Sequence, residues 1–116
     1  MTEVQAAWLA GIIDGEGCLD SPRGNPRVRI KMTDHDVVLR AALLMKAKTH
    51  LEMVPDRKPA LVAQITGEAA MAVMEAVLPH LGSRRAAKAT EILLNRRVKN
   101  YQGRTAAKLN LTGDGR

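Results

Sequence analysis

Apolar residues recur at helical spacing in four stretches of the chain and follow strand patterns in four others. The helical spacing predicts helices at about residues 3–15, 35–46, 67–78 and 83–98. Strands are predicted at residues 18–20, 27–33, 49–54 and 60–66. Turn residues separate the members of each strand pair, so the predicted order is helix, hairpin, helix, hairpin, helix, helix.

This order of elements predicts an α+β fold of the form αββαββαα. Two hairpins can join into one four-stranded antiparallel sheet, shaped as a saddle, with the helices on one face and the other face free for a ligand. The 116 residues suffice for one domain, predicted to span 1–98. Residues 99–116 are rich in glycine and basic residues, and we expect a tail there that is mobile or becomes ordered only on DNA.

The first helix is predicted to begin with a capping box, since Thr2 precedes Gln5 by three residues. Several of its apolar residues are expected to be buried in a core that contains no phenylalanine. These residues are Val4, Trp8, Leu9, Ile12 and Ile13.

The strand at 27–33 alternates between cations and apolar residues. Arg27, Arg29 and Lys31 should therefore point to the open face of the sheet, and the residues between them should point to the helices. A face that only improves solubility is the alternative, but three successive cations with no acid among them favour DNA. Gln64 and Thr66 are expected on the same face, whereas His50 and Glu52 could simply be solvated.

Three further cations lie in the predicted hairpin turns and are expected to contact DNA phosphates: Arg23, Arg57 and Lys58. The charge is uneven along the chain. Residues 1–83 have a net charge of −1, whereas residues 84–116 have a net charge of +7. Such an asymmetry indicates an anionic partner, and the lack of a bulky apolar face in the tail favours nucleic acid over membrane.

The sequence also predicts what the protein lacks. No apolar run approaches a membrane span and no signal peptide is evident, so we expect a cytoplasmic protein without membrane contact. Cys18 is the single cysteine, which excludes an intramolecular disulfide, indicates a reducing compartment and is expected to be a buried or spectator residue. No motif for a small-molecule cofactor is present, and the histidines lack zinc-ligand spacing.

The most informative stretch is 9–17, Leu-Ala-Gly-Ile-Ile-Asp-Gly-Glu-Gly, at the end of the first helix. Asp14 and Glu16 lie at the carbonyl end of the helix dipole, which favours cations. Small residues leave this helix nearly bare, so the same helix of a second copy could approach closely. Two copies of Glu16 about 5 Å apart would repel by about 3 kcal/mol at an effective dielectric of about 20, which a divalent cation would relieve.

These nine residues resemble the signature helix of the LAGLIDADG homing endonucleases. Ile12 stands for the usual Leu, Gly15 for Ala and Glu16 for Asp, and the order of elements is similar over residues 4–98. The resemblance implies a metal-dependent, site-specific endonuclease for double-stranded DNA, encoded by a phage or a mobile intron or intein. A chain with one motif implies a homodimer, a near-palindromic target and cuts that leave 3′ overhangs.

The resemblance also implies roles for individual residues. Glu16 and the Gly15 carbonyl would bind Mg²⁺, for which Mn²⁺ could substitute. Arg84 stands where the family usually has a catalytic Lys, and Arg85 and Lys88 would extend this basic cluster along the DNA. The implied dimer interface contains Leu9, Ala10, Gly11, Ile13 and Asp14.

Asp34 has two possible roles. The resemblance implies a catalytic residue that lines the water network around the metal, whereas its position before the second helix favours a structural N-cap.

Two other function classes also stay open. One is a nucleic-acid-binding protein of the same fold that does not cut, such as a maturase or a regulator. The other is a basic RNA-binding protein of ribosomal type, which would leave residues 9–17 unexplained.

Overall fold

The computed structural model describes residues 1–96. The predicted tail at 99–116 and the predicted end of the last helix at Val98 lie outside these residues. The helices are α1 (Glu3–Glu16), α2 (His35–Met45), α3 (Gly67–Val77) and α4, which occupies 83–96. The strands are β1 (Gly17–Asp20), β2 (Arg27–Met32), β3 (Lys48–Glu52) and β4 (Ala60–Thr66). The α+β prediction and its order of elements are confirmed.

The four strands form one antiparallel sheet in the order β1-β2-β4-β3. Each hairpin therefore contributes one inner and one outer strand. In the central pair, Arg27 lies opposite Thr66 and Met32 lies opposite Leu61. Gly17 pairs with Ile30, so β1 begins at the end of the sheet where β2 ends.

The helices cover the face of the sheet that carries the apolar residues of β2. Leu9 and Ile13 of α1, Met74 of α3, and Val28 and Ile30 of β2 are all fully buried in this layer. Aliphatic side chains and methionines fill the core, as the absence of phenylalanine requires. In the described part of the chain, no helix combines the length and hydropathy that a membrane span needs.

The start of α1 agrees with the sequence. Thr2 Oγ1 accepts a 3.1 Å hydrogen bond from the Gln5 backbone N–H, and Gln5 Oε1 accepts one of 2.8 Å from the Thr2 backbone N–H. Trp8 and Ile12 pack at the edge of the core, where the Arg40 guanidinium lies 4.1 Å from the centre of the Trp8 ring. These contacts bind α1 to α2 and fix the direction in which α1 runs.

Burial of Val4 was a wrong prediction, since this side chain is 80% exposed. The core side of α1 contains Ala6, Leu9, Ala10 and Ile13, and Val4 lies on the opposite side of the helix. Apolar and small residues surround most of α1, so the spacing alone does not select the buried side. The exposed side of α1 is consequently apolar.

Candidate functional site

The chain passes from α1 into β1 without a loop. Glu16 ends α1 and Gly17 begins β1, with the Gly17 N–H still bonded to the Ile13 carbonyl. A Cβ atom at position 17 would lie 2.7 Å from the Ile13 Cα atom, so only glycine fits this junction. Glu16 itself is exposed, and within residues 1–96 no group forms a hydrogen bond or an ion pair with it.

Asp14 connects this junction to the start of α4. Its Oδ2 atom accepts a 2.8 Å hydrogen bond from the Gly82 N–H, while the Gly82 carbonyl accepts one of 2.8 Å from the Ala86 N–H. Gly82 is therefore the N-cap residue of α4, and Ser83 is its first helical residue, as predicted. A carboxylate at a helix N-terminus also interacts favourably with the helix dipole. Asp14 thus holds α4 against the end of α1.

The predicted basic cluster of α4 lies beside the same junction. Arg85 donates a 3.0 Å hydrogen bond from Nη2 to the Gly17 carbonyl. Arg84, Arg85 and Lys88 line an open cavity of 420 Å³ whose other wall is the start of β1, including Gly17 and Cys18. Arg84 is exposed, so its guanidinium is available to a ligand. The structure therefore brings the cations of α4 to the strand that follows Glu16.

Asp34 is the N-cap residue of α2, as the sequence favours, but its side chain makes no capping hydrogen bond. It is exposed and follows the end of β2. Because Gly17 pairs with Ile30, two residues before that end, Asp34 lies at the same end of the sheet as Glu16. The position suits the role in the water network that the resemblance implies, whereas the side-chain hydrogen bond of the N-cap role is absent.

The open face of the sheet carries the predicted polar side chains. Gln64 of β4 lies opposite Arg29, and Thr66 lies opposite Arg27. Lys48 of β3 lies opposite Gln64 on the same face and was not predicted from the sequence. The predicted strand began one residue later, at Thr49. The two-residue spacing from His50 to Glu52, extended backward by one step, would have identified Lys48.

Two acids from the outer strands pair with the cations of β2. Asp20 of β1 binds Arg27 through both carboxylate oxygens, with Oδ1 2.8 Å from Nε. Glu52 of β3 binds both Arg29, at 2.9 Å, and Lys31. The expectation that Glu52 is simply solvated is therefore wrong. No acid lies on β2 itself, as predicted. The acids lie instead on β1, which pairs with β2, and on β3, which is separated from β2 by β4.

These contacts change the ionisation of the acids. Hydrogen bonds from Arg27 hold the pKa of Asp20 below its usual range, although partial desolvation opposes the shift. Hydrogen bonding and attraction from Lys31, with further attraction from Arg29, lower the pKa of Glu52. Asp20 likewise raises the pKa of Arg27. Asp20, Glu52 and Arg27 are therefore charged at neutral pH.

The cations predicted in the turns lie at the two hairpin tips. Arg23 is exposed in a 3-10 turn, Pro22–Gly24, with a positive φ of 56°. Arg57 and Lys58 are exposed in the second turn, after Asp56 with a φ of 63°. The register of the inner strands puts the tips at opposite ends of the sheet. Phosphate contacts at both ends would span the whole open face.

The structure corrects part of the predicted dimer interface. Leu9, Ala10 and Ile13 are 0% exposed, because they pack into the core of their own chain, and they have no surface for a second copy. Gly11 is exposed, and so is Gly15; a Cβ atom at either position would meet nothing within 4 Å. The accessible side of α1 is formed by Val4, Ala7, Gly11 and Gly15. We call these four residues the α1 face.

Cys18 is exposed rather than buried and lies on the open face, opposite Arg29. Among residues 1–96, no group of three or more His, Cys, Asp or Glu residues could hold a metal ion. Glu16 of one copy therefore belongs to no such group within these residues.

No family model and no curated protein matches the sequence. Solved structures do match the fold. The homing endonuclease I-CvuI in complex with its target has a TM-score of 0.64 and 20% identity, over 98% of this chain and 85% of that chain. The group I intron-encoded endonuclease I-CeuI, complexed with DNA, has a TM-score of 0.62 and 15% identity, over 97% of this chain and 63% of its own.

A further homing endonuclease, I-TnaI, has a TM-score of 0.54 and 16% identity, over 86% of this chain and 74% of that chain. At these identities the likeness concerns the backbone arrangement. This likeness of the backbone agrees with the resemblance of residues 9–17 to the LAGLIDADG signature helix. In this structure those residues form the end of α1 and the first residue of β1. The protein thus has the α+β fold of the LAGLIDADG homing endonucleases.

Proposed function

We propose that this protein is a site-specific endonuclease that cuts double-stranded DNA. The observation that carries the proposal concerns Glu16, which is exposed and has no partner among residues 1–96. It directly precedes the start of β1, which lines one cavity together with the basic cluster of α4, and the sheet face beside it is rich in cations. An acid that pairs with no cation repels the DNA phosphates, so a protein that only binds DNA gains nothing from Glu16. The solved complexes of I-CvuI and I-CeuI with DNA support the same function for this fold.

The active form is proposed to be a homodimer that meets through the α1 face. Gly11 and Gly15 have open space around them, so a second α1 helix can approach closely. Val4 would lose its exposure to water in such a contact. Two-fold symmetry would then require a near-palindromic target.

The residues at the end of α1 fit a divalent cation, provided that two copies meet. Carboxylate and backbone carbonyl oxygens are the ligands that Mg²⁺ prefers, and Glu16 and the Gly15 carbonyl supply both. Two I-CvuI–DNA complexes were solved in the presence of 2 mM Ca and of 2 mM Mg, which supports the use of a divalent ion by proteins of this fold. We propose Mg²⁺, with Mn²⁺ as a substitute; when bound, it would lower the pKa of a water molecule and stabilise the leaving 3′ oxygen.

The protein's own groups would position the DNA around this site. Arg84 would stabilise the negative charge that develops on the scissile phosphate, although an arginine rarely transfers protons. Lys88 would extend that positive field, and Arg85 would keep the start of β1 in place through the Gly17 carbonyl. Asp34, at the same end of the sheet, would orient water. Cuts on both strands across the minor groove would leave 3′ overhangs.

The sheet face would occupy the major groove on either side of the cut. Arg27, Arg29 and Lys31 would contact bases, because arginine and lysine match the O6 and N7 atoms of guanine. Gln64 would suit adenine, with Thr66 beside it. The tip residues Arg23, Arg57 and Lys58 would contact phosphates and provide affinity without sequence preference.

The test is to sequence the DNA ends formed when the protein meets a library of randomised palindromic duplexes. Mg²⁺, Mn²⁺ and Ca²⁺ should be compared, with Glu16→Gln as the inactive variant and Glu68→Gln as the matched control. We expect staggered ends at one symmetric site with Mg²⁺ and Mn²⁺, absent in Glu16→Gln and unchanged in Glu68→Gln.

Other outcomes would contradict the proposal. Enrichment of bound duplexes without cut ends in any metal would make the protein a non-cleaving binder, such as a regulator or maturase. Cutting that persists in Glu16→Gln would remove Glu16 from the active site.

A further inference from the structure

The open face carries charges of both signs, with one cation, Lys48, on the outer strand β3 beside the acids described next. The cations Arg27, Arg29 and Lys31 lie on the inner strand β2, whereas Asp20 and Glu52 lie on the outer strands β1 and β3. Both acids bind cations of β2, one from each side. We propose that Asp20 and Glu52 are positioning residues that set which bases the protein recognises, by holding these cations in fixed orientations. This inference rests on the proposed binding of DNA.

Asp20 leaves one edge of Arg27 free. The carboxylate occupies Nε and Nη2, with Oδ1 2.8 Å from Nε, so Nη1 and the second N–H of Nη2 stay available. These donors form the pair that a guanine requires at O6 and N7. The side chains of Arg27 and Asp20 are 27% and 31% exposed, so the pair is partly shielded from water. The Arg27 guanidinium is therefore held in one orientation and does not move freely.

Glu52 fixes two cations at once. Its Oε2 atom accepts from Arg29 Nη2 at 2.9 Å, and its Oε1 atom binds Lys31 Nζ. Since β4 lies between β3 and β2, these side chains meet above β4. Val62 of β4 is 0% exposed although it lies opposite Lys31 on the open face. The spacing between the Arg29 and Lys31 heads is thus set by one carboxylate.

Neither folding stability nor overall affinity accounts for these acids. Partly exposed ion pairs contribute only modestly to folding stability, so stability alone gives little reason for two of them on the binding face. The acids also reduce the attraction of the face for any duplex, which is a disadvantage for affinity. A protein that recognises one DNA sequence needs weak binding to all other duplexes and hydrogen-bond donors oriented toward the bases of its target.

The experiment compares Asp20→Asn and Glu52→Gln with the wild type and two matched controls. Asp36→Asn and Glu68→Gln remove the same charge at exposed positions at the starts of α2 and α3, away from the open face. Duplexes are selected from a randomised library in Ca²⁺, and affinities for the preferred and for random duplexes are measured at one salt concentration.

For Asp20→Asn and Glu52→Gln we expect random duplexes to bind as well as in the wild type, or up to about fivefold more tightly. Discrimination between preferred and random duplexes should fall about tenfold, since a mobile donor pair no longer favours one base. Both controls should keep the wild-type preference. A purely structural role would instead lower both affinities together.

A second variant tests whether Asp20 acts through Arg27. In an Arg27→Gln background, Asp20→Asn should change the base preference no further. The wild type offers an independent measurement, since the Nε–H group of Arg27 should be as rigid by NMR relaxation as the backbone of β2. A mobile Arg27 side chain would overturn the inference without any variant.

The outcomes separate this inference from the proposed function. If the wild type enriches a target and both acid variants enrich it with the same discrimination, this inference alone is overturned. If the wild type enriches no sequence in any metal, the proposed function and this inference fail together.

Discussion

Asp14 accepts a 2.8 Å hydrogen bond from the Gly82 backbone N–H, across 68 positions of the sequence. This bond joins the helix that ends in Glu16 to the helix that begins with Arg84 and Arg85. The acid and the basic cluster belong to opposite ends of the described chain, so their relative position depends on this contact and on the bond from Arg85 to the Gly17 carbonyl. The proposed active site is therefore assembled by residues that would not touch DNA.

We expect Asp14→Ala to lower the free energy of unfolding by about 0.5–2 kcal/mol, because the carboxylate that accepts from the N-terminus of α4 is lost at a solvent-accessible site. Cleavage should fall more than DNA binding, since the start of α4 is released from α1. Asp14→Asn keeps an acceptor and should lose less than half as much stability. Urea denaturation and single-turnover cleavage would measure both effects. Unchanged values in Asp14→Ala would show that the bond positions nothing.

Gly11→Leu should convert the protein from a dimer to a monomer that stays folded. Position 11 has open space within one chain, so the side chain fits there, but it would block the approach of a second α1 helix. Sedimentation velocity and circular dichroism would measure assembly and folding. Gly17→Ala is the contrasting variant, since its Cβ atom would lie 2.7 Å from the Ile13 Cα atom and should destabilise the chain itself. A Gly11→Leu protein that still forms dimers would exclude the α1 face.

Acid should weaken the fold through the two paired carboxylates of the open face. Their pKa values in the folded protein lie below the ordinary 3.8 of Asp20 and 4.5 of Glu52. Their contribution to stability is therefore complete above about pH 5.5 and is lost as the pH falls through these values. Urea midpoints between pH 7 and pH 3 should fall less steeply in Asp20→Asn and Glu52→Gln than in the wild type. Equal slopes would mean that the ion pairs do not persist in solution.

Arg84→Ala should reduce the cleavage rate by about 10²–10³, the cost of removing one group that stabilises transition-state charge. Duplex affinity should change by less than about threefold. Arg57→Ala should have the opposite effect. The cleavage rate at saturating protein should stay unchanged, whereas the slope of binding affinity against salt concentration should fall by the equivalent of about one phosphate contact. Rates at saturating protein and binding at several salt concentrations would separate the two. Equal effects on rate and affinity in Arg84→Ala would make Arg84 a binding residue.

Local pattern was sufficient for the elements and for one face of the sheet. The capping box of Thr2 and Gln5 and the alternation along β2 involve only residues close in sequence. Both could therefore be predicted without knowledge of the tertiary contacts. The end of α1 was predicted for the same reason, because residues 9–17 form a continuous motif.

The contacts that complete the site depend on pairings the sequence does not specify. Glu52 meets Arg29 and Lys31 only because β3 lies outside β4, and Asp14 meets Gly82 only because α4 returns to α1. The buried side of α1 was partly misjudged for a related reason. Val4 and Leu9 are equally apolar, and the sheet, not the helix, decides which of them is covered.

The sheet order β1-β2-β4-β3 divides folding into two local closures and one distant one. Each hairpin closes through a short turn, at residues 21–26 and 53–59, whereas β2 and β4 meet across α2 and β3. Distant closure costs more chain entropy, so docking of the hairpins should limit the folding rate. We expect Ile30→Val, at the inner pair, to slow folding, and Leu19→Ala, on β1, mainly to speed unfolding, as chevron plots would show. A partly folded chain would then contain both hairpins but not the continuous four-stranded face to which DNA is proposed to bind.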